Sequence, residues 1–189
     1  MTDVIPLRPP LAEADVTPLE VGDRVSLSGP MYGARDAAHK KMVDLLDANQ
    51  PLPVDLRGHV IFYVGPTPAP PGRVIGSAGP TTSLRMDAYA PRMYEYGVRA
   101  TVGKGNRGQA VIDALVKHKA VYLIAIGGLG ATLAQRIKTA KVVAYPELGT
   151  EALWEFRVED FPAIVANDAR GLDIFKEGQE ALAKKLAAP

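Results

Sequence analysis

Val98-Arg-Ala-Thr-Val102, Gly103-Lys-Gly-Asn106, Arg107-Gly-Gln-Ala-Val-Ile-Asp-Ala-Leu-Val-Lys-His118 and Ala120-Val-Tyr-Leu-Ile-Ala-Ile126 follow one another along the chain. A short strand, a glycine-rich loop, a helix and an apolar strand in that order are the parts of a parallel βαβ unit. Upstream, His59-Val-Ile-Phe-Tyr-Val64 is apolar throughout, as a strand covered on both faces would be, and Gly65-Pro66 ends it. Downstream, Gly127-Gly128-Leu129-Gly130 turns into a helix expected over Ala131 to Lys138. Alternation of strands and helices through the middle, with strands dominating the flanks, predicts an α/β domain with a layered mixed sheet.

Around that middle the boundaries are read from glycine and proline. Arg24 to Ser28 alternates like a strand, Gly29-Pro30 is expected to break it, and Ala34 to Ala48 takes helical spacing. Arg73 to Ala78 reads as a second strand after the one ending at Val64. A helix from Leu84 toward Tyr96 is expected to be capped by Thr82 or Ser83, divided by Pro91 and closed by Gly97. Separate strands are expected at Leu153 to Val158 and Ala163 to Ala166, and a last helix at Phe175 to Ala188. Residues 1–20, with Pro6, Pro9, Pro10 and Pro18, are expected to form an extended arm able to lie across a partner, residues 21–171 the domain, and residues 172–189 a helical tail.

Composition narrows the function classes. The 189 residues are 47% hydrophobic and 23% charged, enough for one domain with a sizeable core. A net charge of +1 offers no excess of cations to neutralise nucleic acid or an anionic membrane. No apolar run near Met1 is long enough for a secretion signal or a membrane span, so the cytoplasm is the expected compartment. The sequence has no cysteine, which excludes disulfides, thiolate nucleophiles and the usual ligands of an iron–sulfur cluster.

Three glycine-punctuated turns carry polar residues that core packing does not require: Ser28 to His39, Gly79 to Arg85, and Gly103-Lys104-Gly105. Each falls where a strand hands over to a helix, and in α/β sheets ligands bind outside the carboxyl ends of strands. Arg35 and Arg85 can each hold a carboxylate by two parallel hydrogen bonds, and Lys104 adds a compact charge between glycines. His39, one helical turn after Arg35, can orient a carboxylate or exchange a proton. The plainer readings are an Arg35–Asp36 pair, an Arg85 on a solvated face, a loop-decorating Lys104 and a structural His39. The segment Ile126 to Leu133, with Glu147 beyond it, invites a dinucleotide reading, but bulky Leu133 stands where that fold needs a small residue. Gly103 to Gly108 lacks the spacing and Lys-Ser/Thr pair of a phosphate-binding loop.

Taken in order, Ser28-Gly29, Arg35-Asp-Ala-Ala-His39, Gly79-Pro-Thr-Thr-Ser-Leu-Arg-Met86, Gly103-Lys-Gly105, Gly127-Gly128 and Glu147-Leu-Gly-Thr-Glu-Ala-Leu-Trp154 resemble the class I fumarase family, in its C-terminal domain or β subunit. The resemblance implies a swivelling β/β/α domain, an iron–sulfur fumarate hydratase, and a [4Fe-4S] cluster held by a cysteine-bearing α subunit rather than by this chain. It implies a heteromer, a dicarboxylate substrate, and substrate contacts at Arg35, Thr81, Thr82, Arg85 and Lys104, with Asp36 and His39 behind them. Thr81 takes the place of a proposed acid/base residue whose counterpart sits on the partner. Tartrate or mesaconate in place of fumarate, and a non-catalytic anion-binding module, stay open as alternatives, as does a nicotinamide-dependent oxidoreductase.

Overall fold

The computed structural model describes residues 4–126 and 128–187. The chain forms β1 (Ile5–Leu7), α1 (Glu13–Val16), β2 (Arg24–Gly33), α2 (Asp36–Asp47), β3 (Val60–Phe62), α3 (Ala90–Tyr96), β4 (Ala100–Gly103), α4 (Gln109–His118), β5 (Val121–Ile124), α5 (Gly130–Gln135), β6 (Ile137–Ala144), β7 (Leu153–Asn167) and α6 (Ile174–Ala187). Strands β1 to β5 pair in parallel in sequence order, and β7 runs antiparallel to β5. Strand β7 also pairs antiparallel with β2, from Arg24↔Ile164 to Gly33↔Trp154, so the expected layered sheet closes into a ring. Strand β6 hangs outside the ring on β7.

Closure gives the strands an inside and an outside. Val60, Phe62 and Val64 point inward with Val25, Leu27, Val102, Leu123, Phe156, Phe161 and Val165, while Ile61, Tyr63 and Tyr122 point outward. That alternation is the pleat of a strand expressed in side chains. The outward set is covered by the apolar faces of α2, α3 and α4, through Met42, Met93, Tyr94, Val111 and Leu115. The run 59–64 is apolar throughout because its two faces serve two different cores.

Both long strands contain a proline, Pro30 in β2 and Pro162 in β7. On one edge, β2 pairs with β1 as far as Leu27 and with β3 only from Tyr32. Pro30 falls in the gap between those partners, beside a bulge where Gly29 takes φ +136°. Strand β7 repeats the device: β6 pairs with it up to Val158, β5 from Ile164, and Pro162 lies between. A missing N–H is tolerated where one edge of a strand has no partner. The expected break at Gly29-Pro30, and the expected separation of Leu153–Val158 from Ala163–Ala166, are therefore corrected to two unbroken strands.

Other expectations also change. Arg73 to Ala78 is not a strand; Thr67 N–H donates to the Ser77 carbonyl and Gly76 N–H to the Thr67 carbonyl, closing a loop instead. Pro66, Pro68, Pro70 and Pro71 deprive the facing limb of ladder donors. The helix expected from Leu84 is a 3-10 turn, Ser83–Met86, followed by α3, with Pro91 in the first turn of α3 and Gly97 at its end; Thr82 makes no side-chain cap. Residues 4–19, expected as an extended arm across a partner, fold onto this chain: β1 extends the sheet, and Leu7, Leu11, Val16 and Leu19 are buried in the ring's core. Residues 1–3 of that stretch, Gly127, and residues 188–189 of the tail lie outside the described residues.

Leu19 is 2% exposed. Leu19→Ala should cost about 2–5 kcal/mol of unfolding free energy, as large-to-small changes in a packed core do. Urea denaturation checks this, and an unchanged midpoint would mean that the segment does not belong to the core.

Candidate functional site

Parallel strands β2, β3 and β4 end side by side, so the turns that follow them share one edge of the ring. Arg35 follows β2 in extended conformation and opens α2. Its side chain runs across the turn after β3: a Cβ on Gly65 would stand 2.9 Å from Arg35 Cζ, Nε and Nη1. Gly65 thus leaves the slot that the guanidinium fills. Arg35 Nη2 donates to Glu151 Oε1 at 2.7 Å, and Glu151 Oε2 accepts the Ala37 N–H at 3.1 Å. Glu151 therefore both fixes Arg35 and satisfies a free donor in the first turn of α2. Arg35 Nε is buried with no partner among the described residues.

The second turn is tied to the first by charge. Arg85 presents Nε, at 3.1 Å, and Nη2 to the two oxygens of Asp36. Partial burial pushes the Asp36 carboxyl up, but its bond from Arg85, its own backbone N–H and the charges of Arg85 and Arg35 outweigh that and hold it below the ordinary carboxylate range. Asp36 thus pairs with Arg85, and Arg35 with Glu151, in place of the simpler Arg35–Asp36 pair. The sequence reading named Asp36 but gave Glu151 no role; the two residues of the Arg35–Glu151 pair are 116 positions apart.

The third turn is zipped to the second by the backbone. Thr81 N–H donates to the Tyr63 carbonyl at 2.7 Å, Lys104 N–H to the Thr81 carbonyl at 3.3 Å, and Ser83 N–H to the Lys104 carbonyl at 2.9 Å. Thr82 and Lys104 form a parallel bridge. Lys104 is exposed and has no carboxylate within ion-pair distance among the described residues. Arg35, Thr81, Thr82, Arg85 and Lys104 are thus carried by adjoining turns at one edge. Surface recesses of about 460 Å³, bordered by Arg8, Lys138 and Arg157, and about 420 Å³, bordered by Arg73 and Gln135, lie elsewhere.

His39 is buried beneath this edge. Its Nδ1 lies 3.0 Å from the Arg35 carbonyl, which assigns the proton to Nδ1, and Nε2 is left without a partner among the described residues. Burial pushes its pKa down to about 4, partly offset by the Arg35 carbonyl, with the Arg107 charge acting with burial and Asp36 against it. A ring this buried and this weakly basic braces the start of α2.

Among the described residues, no group of three or more His, Asp or Glu side chains is placed to hold a metal ion, and the chain has no cysteine. A thiolate-bound cluster does not fit the donors present. Leu133, whose bulk opposed the dinucleotide reading, is buried in the inner core. No helix among the described residues is long and apolar enough to cross a membrane.

A closed α/β ring with cation-bearing turns gathered at the carboxyl edge of its parallel strands defines the class of domain. A family model described as the fumarase C-terminus matches residues 2–178, and the chain belongs to that family, as its ordered motifs indicated. It is 44% identical over 177 residues to the anaerobic class I fumarate hydratase of Escherichia coli (strain K12), covering 92% of this chain and 32% of that protein. Fumarate hydratase 2 of Leishmania major is 44% identical over 159 residues, 83% of this chain and 28% of the relative. A putative L(+)-tartrate dehydratase subunit beta of Methanocaldococcus jannaschii is 38% identical over 182 residues, 93% of each chain. The chain spans about a third of the length of the fumarate hydratases it matches.

The histidine generates a prediction about stability. An unfolded imidazole titrates near 6.5 and the folded one at about 4. Above pH 6.5 both states are neutral; as pH falls from 6.5 to about 4, only the unfolded chain gains the proton, so stability is lost through that window. This contribution is on the order of 3 kcal/mol. Unfolding free energies measured at pH 7 and pH 4.5 should fall less in His39→Gln than in the parent. Equal losses would show that His39 is not depressed.

Proposed function

We propose that this chain is the diacid-gripping part of a fumarate hydratase that hydrates fumarate reversibly to malate. The observation that carries the reading is the joining of the turns bearing Arg35, Arg85 and Lys104 at one edge by the Arg85–Asp36 pair and the Thr82–Lys104 bridge. The E. coli and L. major relatives named above are fumarate hydratases. Tartrate is the second reading, favoured by the M. jannaschii relative, which matches this chain over nearly its whole length.

Each residue's share follows from its contacts. Glu151 occupies Nη2 of Arg35 and Nε is buried, leaving Nη1 for a substrate carboxylate. Arg85 spends Nε and Nη2 on Asp36, so it offers Nη1 and its charge. Lys104 supplies an uncommitted ammonium. Proton loss beside a carboxylate builds negative charge, and fixed cations lower its energy because they need not reorganise. Thr81 has both backbone groups bonded, which fixes the main chain that carries the acid/base hydroxyl we assign to it; Thr82 binds beside it. Asp36 and His39 support the arginines from behind.

We place the implied [4Fe-4S] cluster on a cysteine-bearing partner, making the active enzyme a heteromer in which this domain swivels over that partner. This chain has no cysteine with which to hold the cluster.

The test is anaerobic assembly with the cluster-bearing partner, an ultraviolet assay of fumarate loss and an assay of oxaloacetate formed from tartrate. Arg35→Ala and Lys104→Ala should each lower kcat/KM by on the order of 10²-fold or more. Thr81→Ala should lower kcat far more than it raises KM, and an unchanged kcat removes Thr81 from the chemistry. An assembled parent enzyme that consumes neither diacid overturns the reading.

A further inference from the structure

Tyr122 lies in β5 between two residues of the ring's interior, Val121 and Leu123, and so faces the opposite way, toward the helices. It is fully buried, and its hydroxyl donates to the Gly105 carbonyl and meets Ser83 Oγ, each at 2.8 Å. One side chain thus bonds the turn holding Thr81 and Thr82 and the turn holding Lys104, from beneath both. Gly103 explains why Ser83 can reach it: a Cβ there would stand 1.9 Å from Ser83 Oγ.

The Tyr122 ring is held in turn. The Arg107 guanidinium lies 4.8 Å from its centroid and 5.4 Å from that of Tyr63. Arg107 Nε donates to Asp87 at 2.8 Å, and the other Asp87 oxygen accepts the Gly108 N–H at 2.6 Å. A cation over an aromatic face and a buried ion pair fix ring and loop together. Burial pushes the Tyr122 phenol well above its ordinary range, so it remains a proton donor at any working pH.

We infer that Tyr122 is a positioning residue of the diacid site, setting the register of Thr81 and Thr82 against Lys104 through Ser83 and Gly105 while touching no substrate itself. The inference rests on the function proposed above. Removing the hydroxyl leaves the Thr82–Lys104 bridge in place but frees the Ser83 side chain and the Gly105 carbonyl. Lys104 is then held against Thr81 and Thr82 by the backbone bridge alone, and small misplacements of this kind are costly in rate.

The test uses the assembled enzyme with Tyr122→Phe, Ser83→Ala, Lys104→Ala and the Tyr122→Phe/Lys104→Ala double variant. Tyr122→Phe keeps the ring, and Ser83→Ala removes a single oxygen should the phenylalanine variant fail to assemble. Each should lower kcat/KM for the diacid by roughly tenfold or more. In the Lys104→Ala background the Tyr122→Phe loss should shrink below about threefold, since the two changes act on one element. A substitution that merely loosened the fold would cut activity by the same factor in both backgrounds, and that result overturns the inference, as does a loss below about threefold in the parent background. A parent enzyme inactive on both diacids overturns the function itself; an active parent with an unaffected Tyr122→Phe overturns only the positioning role.

Discussion

The pairing of β2 with β7 is the constraint on which the other features depend. It turns a parallel run of strands into a ring, and the ring sorts every strand side chain into one of two cores. Within the ring the parallel pairing of β2, β3 and β4 ends them at a common edge, where Arg35, Thr81 and Lys104 leave the sheet. Gly33 shows how tightly the pairing is made: a Cβ there would lie 2.4 Å from the ring of Phe156 on β7. Closure also brings Glu151, just before β7, beside Arg35, just after β2, because Gly33 pairs with Trp154.

Charge at that edge is largely balanced within the chain. Arg35 is met by Glu151 and Arg85 by Asp36, so the two guanidiniums are oriented by the protein before any ligand arrives. Partly exposed pairs of this kind add little stability. Their consequence is geometric: each fixes one face of an arginine and decides which donors remain. Lys104 has no such carboxylate among the described residues and is aligned through its backbone instead.

What the sequence disclosed follows a physical division. Val60 to Phe62, Ala100 to Gly103, Gln109 to His118 and Val121 to Ile124 were legible because periodicity is local. The glycine-punctuated turns were legible for the same reason, and the structure places those bearing Arg35, Thr81, Arg85 and Lys104 side by side. Pro30 misled because whether a proline ends a strand depends on what lies beside it, which is set by residues far away. The N-terminal segment misled likewise: its prolines argued for an arm, while Leu11 and Leu19 found partners that no local pattern reveals. Glu151 stayed hidden behind its distance from Arg35, and Tyr122 looked like one more apolar strand residue. Side chains that work through others leave little trace in spacing.

Closure also bears on how the chain is made. The pairs that seal the ring lie more than 120 positions apart in sequence, from Gly33–Trp154 to Arg24–Ile164. During synthesis the first five strands must wait, with Val25, Leu27, Phe62 and Leu123 uncovered, until the last long strand has left the ribosome. Long-range strand pairing of this kind forms slowly. The nascent chain is therefore most exposed to aggregation just before β7 emerges.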